Sequence, residues 1–268
     1  IPLGRLIGAK GEELVAGLME GDVGAGHTTD DQEEVAHIFK KYNWMALPVT
    51  DLENRLVGII TVDDIVDVIE QETTEDMEKM AALLPSDEEY LKTPVLKLAK
   101  NRIVWLCVLM ISGTLSSLVI GHYAGLLAVA MSLSNFITII TGTGGNAGSQ
   151  ASTMIIRGMA LGEIEVRDTL RVIWKEVRVG ALCGIALGLV NMARMTFFSK
   201  DTDFLIDFTV SVSMAAVVVL SKTIGCTLPI LAKIIKVDPA MMAGPLISTL
   251  VDAVALILYF SIASLLLL

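Results

Sequence analysis

The run PLISTLVDAVALILYFSIASLLLL, Pro245 to Leu268, decides the class of this chain, and its one charged residue is Asp252. An apolar helix of this length, at about 1.5 Å per residue, crosses a hydrocarbon layer of about 30 Å. A carboxylate inside that layer is expensive unless it meets water, a partner or an ion, so it marks a functional site. Gly244, Ser248 and Asp252 recur at intervals of four and share one helical face. Upstream, Asp238-Pro239 reads as an N-cap and first-turn proline, which starts the helix at Pro239 and puts Asp252 about 20 Å along it. Pro245 cannot donate to the carbonyl of Met241, which is then free for water or an ion. The alternative for Asp252 is an ion pair with Lys222 of the preceding apolar run.

The composition is that of two unlike parts. Of 268 residues, 53% are hydrophobic and the net charge is −10. Residues 1–90 hold 6 Lys and Arg against 21 Asp and Glu, whereas residues 91–268 hold 14 against 9. An acidic soluble part followed by a membrane part is the expectation, and that acidity argues against nucleic acid and for cations. Cys107, Cys183 and Cys226 all fall in apolar runs and read as buried small hydrophobes. His27, His37 and His122 have no zinc-like or catalytic spacing. With neither an initiator Met nor a signal pattern at Ile1, the chain reads as starting inside a longer protein.

Hydropathy predicts an α-helical polytopic membrane protein with five spans, at about Ile103–His122, Ala124–Thr141, Val177–Phe198, Phe204–Leu228 and Gly244–Leu268. Lys92, Lys97, Lys100 and Arg102 precede the first span, Arg157, Arg167, Arg171, Lys175 and Arg178 follow the second, and Lys233 and Lys236 precede the fifth. By the positive-inside rule the soluble part is cytoplasmic and the C-terminus outside.

In the soluble part, Glu12 to Glu20 reads as a short helix, broken by Gly21 to Gly26. Thr29 is the expected N-cap of a helix with Val35, Ala36, Ile38 and Phe39 on its apolar face. Met45 to Val49 and Leu56 to Ile60 read as strands around a turn at Asp51 to Asn54, followed by a helix from about Thr61. Leu47-Pro48-Val49-Thr50-Asp51, followed by Arg55-Leu56-Val57-Gly58-Ile59-Ile60-Thr61-Val62-Asp63-Asp64, resembles a cystathionine-β-synthase-type (CBS) regulatory module. Such modules work as pairs, and residues 1–21 look like the tail and linker of a preceding one, with the module itself at 22–70. The resemblance matches Thr61 and Asp64 to a Thr-x-x-Asp that can hold the ribose of ATP or another adenine nucleotide. The alternative is a helix N-cap and its capping partner.

Residues 61–100 form an acidic connecting helix and a basic approach to the bilayer, and residues 101–268 the transmembrane domain. The helix carries Asp63, Asp64, Asp67, Glu70, Glu75 and Asp76 among its acids against one base, Lys79. Asp63, Asp67 and Glu70 share a face and repel, so divalent ions bridging them would favour compaction; the alternative is a solvated face. Pro85-Ser86-Asp87 is the expected break, and Tyr90 to Lys100 reads as a basic amphipathic segment.

Between the second and third spans, Gly142, Gly144, Gly145 and Gly148 with Asn146, Ser149 and Gln150 make a poor lipid face. Such a segment would break the helix beside a water-lined cavity, or else let helices touch closely. Gly180, Gly184 and Gly188 fit that packing role. The motif Gly-Thr-Gly-Gly-Asn-x-Gly-x-Gln, together with the acidic last span and the CBS module ahead, resembles the MgtE family of magnesium channels. The resemblance implies a homodimer in the lipid bilayer, a cation pore at the two-fold axis lined by the second and fifth spans, and gating by cytoplasmic Mg2+. It implies pore-side roles for Gly142, Gly144, Gly145, Asn146, Gly148, Gln150 and Pro245, and ion contacts at Gly244, Ser248 and Asp252. Two such stripes would offer two carboxylates to one ion, which suits Mg2+ because it keeps several waters. A secondary transporter coupling Mg2+ or another divalent cation to Na+ or H+ uses the same residues, and a membrane-anchored nucleotide sensor is the reading from another class. No His or Cys accompanies Asp252, which argues against an enzyme.

Overall fold

The computed structural model describes residues 1, 3–19, 24–86, 89–198 and 203–268, in two units, Ile1–Thr74 and Glu75–Leu268. In the first unit, α1 (Leu3–Gly8) and α2 (Val15–Leu18) are short, and no residue of α2 is buried. The helix expected over Glu12–Glu20 shrinks to that turn, because among the described residues nothing buries its apolar side chains; Glu20 itself lies outside the described residues. Gly26, expected in the stretch that breaks the preceding helix, opens β1 (Gly26–His27), which pairs in parallel with β2 (Ala46–Thr50). β2 runs antiparallel to β3 (Leu56–Thr61) with an irregularity at Val49/Thr50. Their turn closes on Asp51, whose Oδ1 accepts from the amides of Glu53 and Arg55, both at 2.9 Å.

Helix α3 (Gln32–Tyr42) is capped by Asp31 rather than by Thr29. The Asp31 side chain accepts from the amide of Glu33 at 2.9 Å, while the Asp30 carboxylate accepts from the amide of His27 in the preceding turn. Asn43 ends the helix in the left-handed region, and Val35, Ala36 and Phe39 pack with Leu47 and Ile65 as the core. Helix α4 runs Val62–Met80, with its last residues in the second unit.

The second unit is a helical bundle with α9 (Phe204–Ile234) at its centre. Helices α7 (Ile137–Ala160), α8 (Thr169–Phe198) and α10 (Gly244–Leu267) all pack on α9, α10 also packs on α7, and α5 (Val95–His122) lies against α10. Tyr259, Phe260 and Leu256 of α10 meet Val210, Met214 and Val217 of α9 in the main core, with Leu133, Phe136 and Ile140. Among the described residues four helices are long and apolar enough to cross a membrane: α5, α8, α9 and α10.

The expected second span is the exception. Residues 124–141 form α6 (Ala124–Val129), a 3-10 segment over Met131–Phe136, and only then the start of α7. Tyr259 of α10 donates its hydroxyl to the carbonyl of Leu133 at 3.0 Å, and Leu133 is fully buried, so protein contacts satisfy the irregular backbone. The first helix begins at Val95, earlier than expected, and absorbs much of the basic approach. Helix α4 stops at Met80, before Pro85-Ser86; Asp87 lies outside the described residues. Cys226 is buried as expected, whereas Cys107 on α5 is exposed.

Contrary to expectation, the glycine-rich stretch does not break its helix. α7 is continuous from Ile137 to Ala160 because neighbouring helices close on it: Gly148 and Gly225 meet backbone to backbone, and a side-chain carbon on Gly225 would collide with the carbonyl oxygen of Gly148. The packing role expected for Gly180, Gly184 and Gly188 is what the structure has, since each lies on the backbone or side chains of α9.

Gly225→Ala is expected to destabilise the bundle by about 1–3 kcal/mol through overpacking. Gly142→Ala, in open space, should leave stability unchanged or raise it by about 0.5–1 kcal/mol. Thermal unfolding in a neutral detergent separates the two; equal midpoints would contradict the packing account.

Candidate functional site

Asp252 sits on α10 eight residues beyond Gly244, about 12 Å from the start of the helix and about 22 Å from its end. The expected start at Pro239 is displaced because Asp238 and Pro239 open a separate 3-10 turn, Pro239–Met242, whose Ala240 amide donates to the Asp238 carboxylate at 2.8 Å. Ala243 is extended, and α10 begins after it. Pro245 therefore lies in the first helical turn, where no intrahelical donor is lost, and no carbonyl at Met241 is freed by it.

The stripe Ser248–Asp252 faces α7. A side-chain carbon built on Gly145 would lie 3.4 Å from Ser248 Oγ and 3.5 Å from Asp252 Oδ1. Ser149 Oγ lies 3.2 Å from Ser248 Oγ and 3.5 Å from the carbonyl of Gly244, and Ser152 donates to the carbonyl of Met242 at 2.9 Å. The absence of a side chain at Gly145 thus leaves room for the carboxylate. Asp252 is half-buried and makes no hydrogen bond or ion pair among the described residues. Lys222, the alternative partner, makes no ion pair among the described residues and lines a cavity with Ser149 and Glu176.

The other glycine-motif residues divide between two faces of α7. Gly142, Asn146 and Gln150 are exposed and continue a polar row that includes Thr138, Thr153 and Arg157. Gly144 and Gly148 are turned inward against Val217, Ser221, Ile247 and Val251, so they are packing positions rather than lining ones. With α7 unbroken, its carbonyls serve the helix ladder, which leaves side chains as the available polar groups.

At the foot of α10 is an ion network whose one sequence signal is Lys79, the single base in the acidic helix. Lys79 Nζ lies 2.5 Å from Glu75 Oε1 and 2.6 Å from Asp238 Oδ2. Burial works against the ammonium, but the hydrogen bonds to Asp238 and Glu75 outweigh it and raise its pKa. Met80 packs with Ile156, Ala240 and Ala243, and its carbonyl presses on Gly244, which has a φ of 49°. Asp63, Asp64, Asp67 and Glu70 are exposed along α4, and Glu75 and Asp76 are half-buried. Among the described residues no three His, Cys, Asp or Glu side chains converge as a metal site.

Thr61 and Asp64 bond to each other: Asp64 Oδ2 accepts from the Thr61 amide at 2.9 Å and from its hydroxyl at 2.6 Å. These bonds, the side-chain one first, hold the Asp64 carboxyl below its usual pKa. Helix capping accounts for the pair without a nucleotide.

An apolar helical bundle with an unpartnered carboxylate inside it, together with a small α/β unit, defines a multi-pass membrane protein with an attached regulatory-type module. Residues 137–262 match the model of the MgtE family, described as divalent cation transporters, and residues 17–71 match the CBS domain. Curated relatives named magnesium transporter MgtE are 37% identical over 267 residues in Thermus thermophilus, 34% over 263 in Bacillus subtilis and 34% over 264 in Enterococcus faecalis. These alignments cover 100%, 97% and 98% of this chain. The chain belongs to the MgtE family. It spans 59%, 56% and 57% of the length of those relatives.

Proposed function

We propose that this chain conducts Mg2+ across a membrane along a path lined by α7 and α10, with Asp252 as the ion-selecting group. The observation that carries the reading is Asp252 itself: half-buried within an apolar helix, without a hydrogen bond or ion pair among the described residues, and set against the bare backbone of Gly145. Its charge needs water or a cation to compensate it. Mg2+ sheds water reluctantly and is held through one or two carboxylates. One chain supplies one such carboxylate, so a homodimer with the exposed polar row of α7 facing the axis would bring two to the same ion. The names of the relatives, magnesium transporters, agree with this cargo. The protein is then an integral membrane protein with its CBS-type unit in the cytoplasm and its C-terminus outside.

Control by Mg2+ is the second part of the proposal. The end of α4 bears on the start of α10 through Met80 and Gly244 and through Lys79 and Asp238. Cations held by Asp63, Asp64, Asp67, Glu70, Glu75 and Asp76 would relieve repulsion along α4 and fix its end against α10, closing the path.

Two outcomes follow. In proteoliposomes, Asp252→Ala should reduce Mg2+ flux to the protein-free background while Asp252→Glu keeps part of it; unchanged flux in Asp252→Ala would sink the assignment. A dependence of wild-type flux on an imposed Na+ or H+ gradient would instead select the coupled transporter. For control, millimolar Mg2+ should protect Asp63–Glu78 from limited proteolysis, and equal cleavage with and without the ion would count against the sensing role.

A further inference from the structure

Helix α8 is longer than a bilayer needs, and its extra length carries two side chains that the ion path does not use. Residues 179–198 alone span about 30 Å, the thickness of a hydrocarbon core, and their one charged residue is Arg194, four residues from the far end. Residues 169–178 therefore extend past the core, so Arg178 stands at its boundary and Trp174 one turn further out. Both are exposed. Arg178 lies over the Trp174 ring, 5.6 Å from its centre, and its Nε donates to the Trp174 carbonyl at 3.4 Å. Beyond these contacts Arg178 makes no hydrogen bond or ion pair among the described residues, and the indole N–H of Trp174 has no acceptor there either. The other cations of this end are engaged: Arg171 lies 3.4 Å from Asp168, and Arg167 lies 3.0 Å from Glu165.

The flank that carries the pair is apolar above it. Seven residues beyond Arg178, Ile185 continues the same row, with Leu182 and Leu189 beside it, and all three are exposed. Gly180, Gly184 and Gly188 turn another face of α8 onto α9. Glu176, the one acid of α8, is two residues from both Trp174 and Arg178, about 160° around the helix from each. It lines the cavity that Ser149, Asn146 and Gln150 of α7 share, so the pair stands on the opposite flank of α8 from the proposed ion path.

We propose that Trp174 and Arg178 form a headgroup site for an anionic phospholipid, of the phosphatidylglycerol type. The terminal nitrogens of Arg178 donate to the phosphodiester oxygens, the Trp174 N–H supplies a further donor, and the acyl chains run along Leu182, Ile185 and Leu189. The aromatic contact with Trp174 holds the guanidinium in place for this. A choline headgroup gains less, because it brings its own cation, and the indole face that could take a quaternary ammonium is already covered by Arg178. The site rests on the membrane placement of α8 and not on the identity of the transported ion.

The test uses the full chain with Trp44→Phe and Trp105→Phe, which leaves Trp174 as the one fluorescent indole. It is reconstituted in bilayers of phosphatidylglycerol and phosphatidylcholine in equal amounts, with brominated acyl chains on one lipid or the other, and quenching of Trp174 is read. Quenching should report a preference for phosphatidylglycerol of roughly fivefold, the worth of one basic side chain beside an anionic headgroup. Arg178→Gln should bring the two lipids close to equal, whereas Arg194→Gln, about 24 Å further along α8, should leave the preference intact. Added glycerol phosphate should not displace the lipid. Equal quenching by the two lipids before any change at Arg178 would overturn the proposal by itself, as would a preference that survives Arg178→Gln. Release of the quenching by glycerol phosphate would also overturn it, making a free phosphate the occupant, and so would the absence of quenching by either lipid, which would mean that a second copy covers this flank.

Discussion

A charge cannot sit in hydrocarbon without compensation, and the bundle is arranged around that constraint at Asp252. Space for the carboxylate exists because α7 offers no side chain at Gly145, and α7 can approach so closely because Gly148 and Gly225 remove the atoms that would hold it away from α9. The same few small residues therefore set the helix spacing and the surroundings of the acid. α7 leaves exposed a polar row from Thr138 to Arg157, with Met154 beside it.

Much of this was legible in the sequence. The length and hydropathy of the α5, α8, α9 and α10 runs give away the bundle, and Asp252 is conspicuous because nothing else in its run is charged. The β2–turn–β3–α4 pattern is read from local signals, Asp51 at the turn and Asp64 at the cap, both of which act within a few residues. The failures lie where tertiary contacts override local preference. Four glycines in seven residues favour a break, yet α7 continues because α9 and α10 pack against it. Residues 124–141 are apolar enough to suggest a span, but Ser132, Ser134 and Asn135 interrupt the run and the hydroxyl of Tyr259, more than a hundred residues away, satisfies the irregular backbone at Leu133. β1 has two residues and exists through its pairing with β2, so no periodicity could disclose it. Asp238 is the cap its place before Pro239 predicts, but the element it starts is a 3-10 turn.

Lys79 shows how a cation in an acidic helix organises the anionic groups around it. Lys79 joins Glu75 of the acidic helix to Asp238 at the foot of α10 and is satisfied within the chain. Lys222 is more deeply buried and makes no hydrogen bond or ion pair among the described residues. In the control proposed above, Lys79 is the mechanical link.

The central claim is that position 252 faces the ion path. It is tested most directly by Asp252→Cys in a chain whose Cys107, Cys183 and Cys226 have been replaced, reconstituted in liposomes and exposed to a membrane-impermeant, positively charged thiol reagent. Modification at position 252 that is slowed by Mg2+ is the predicted result. A thiol that stays unmodified while a cysteine at the exposed Asn146 reacts, or one whose reaction is indifferent to Mg2+, would contradict it.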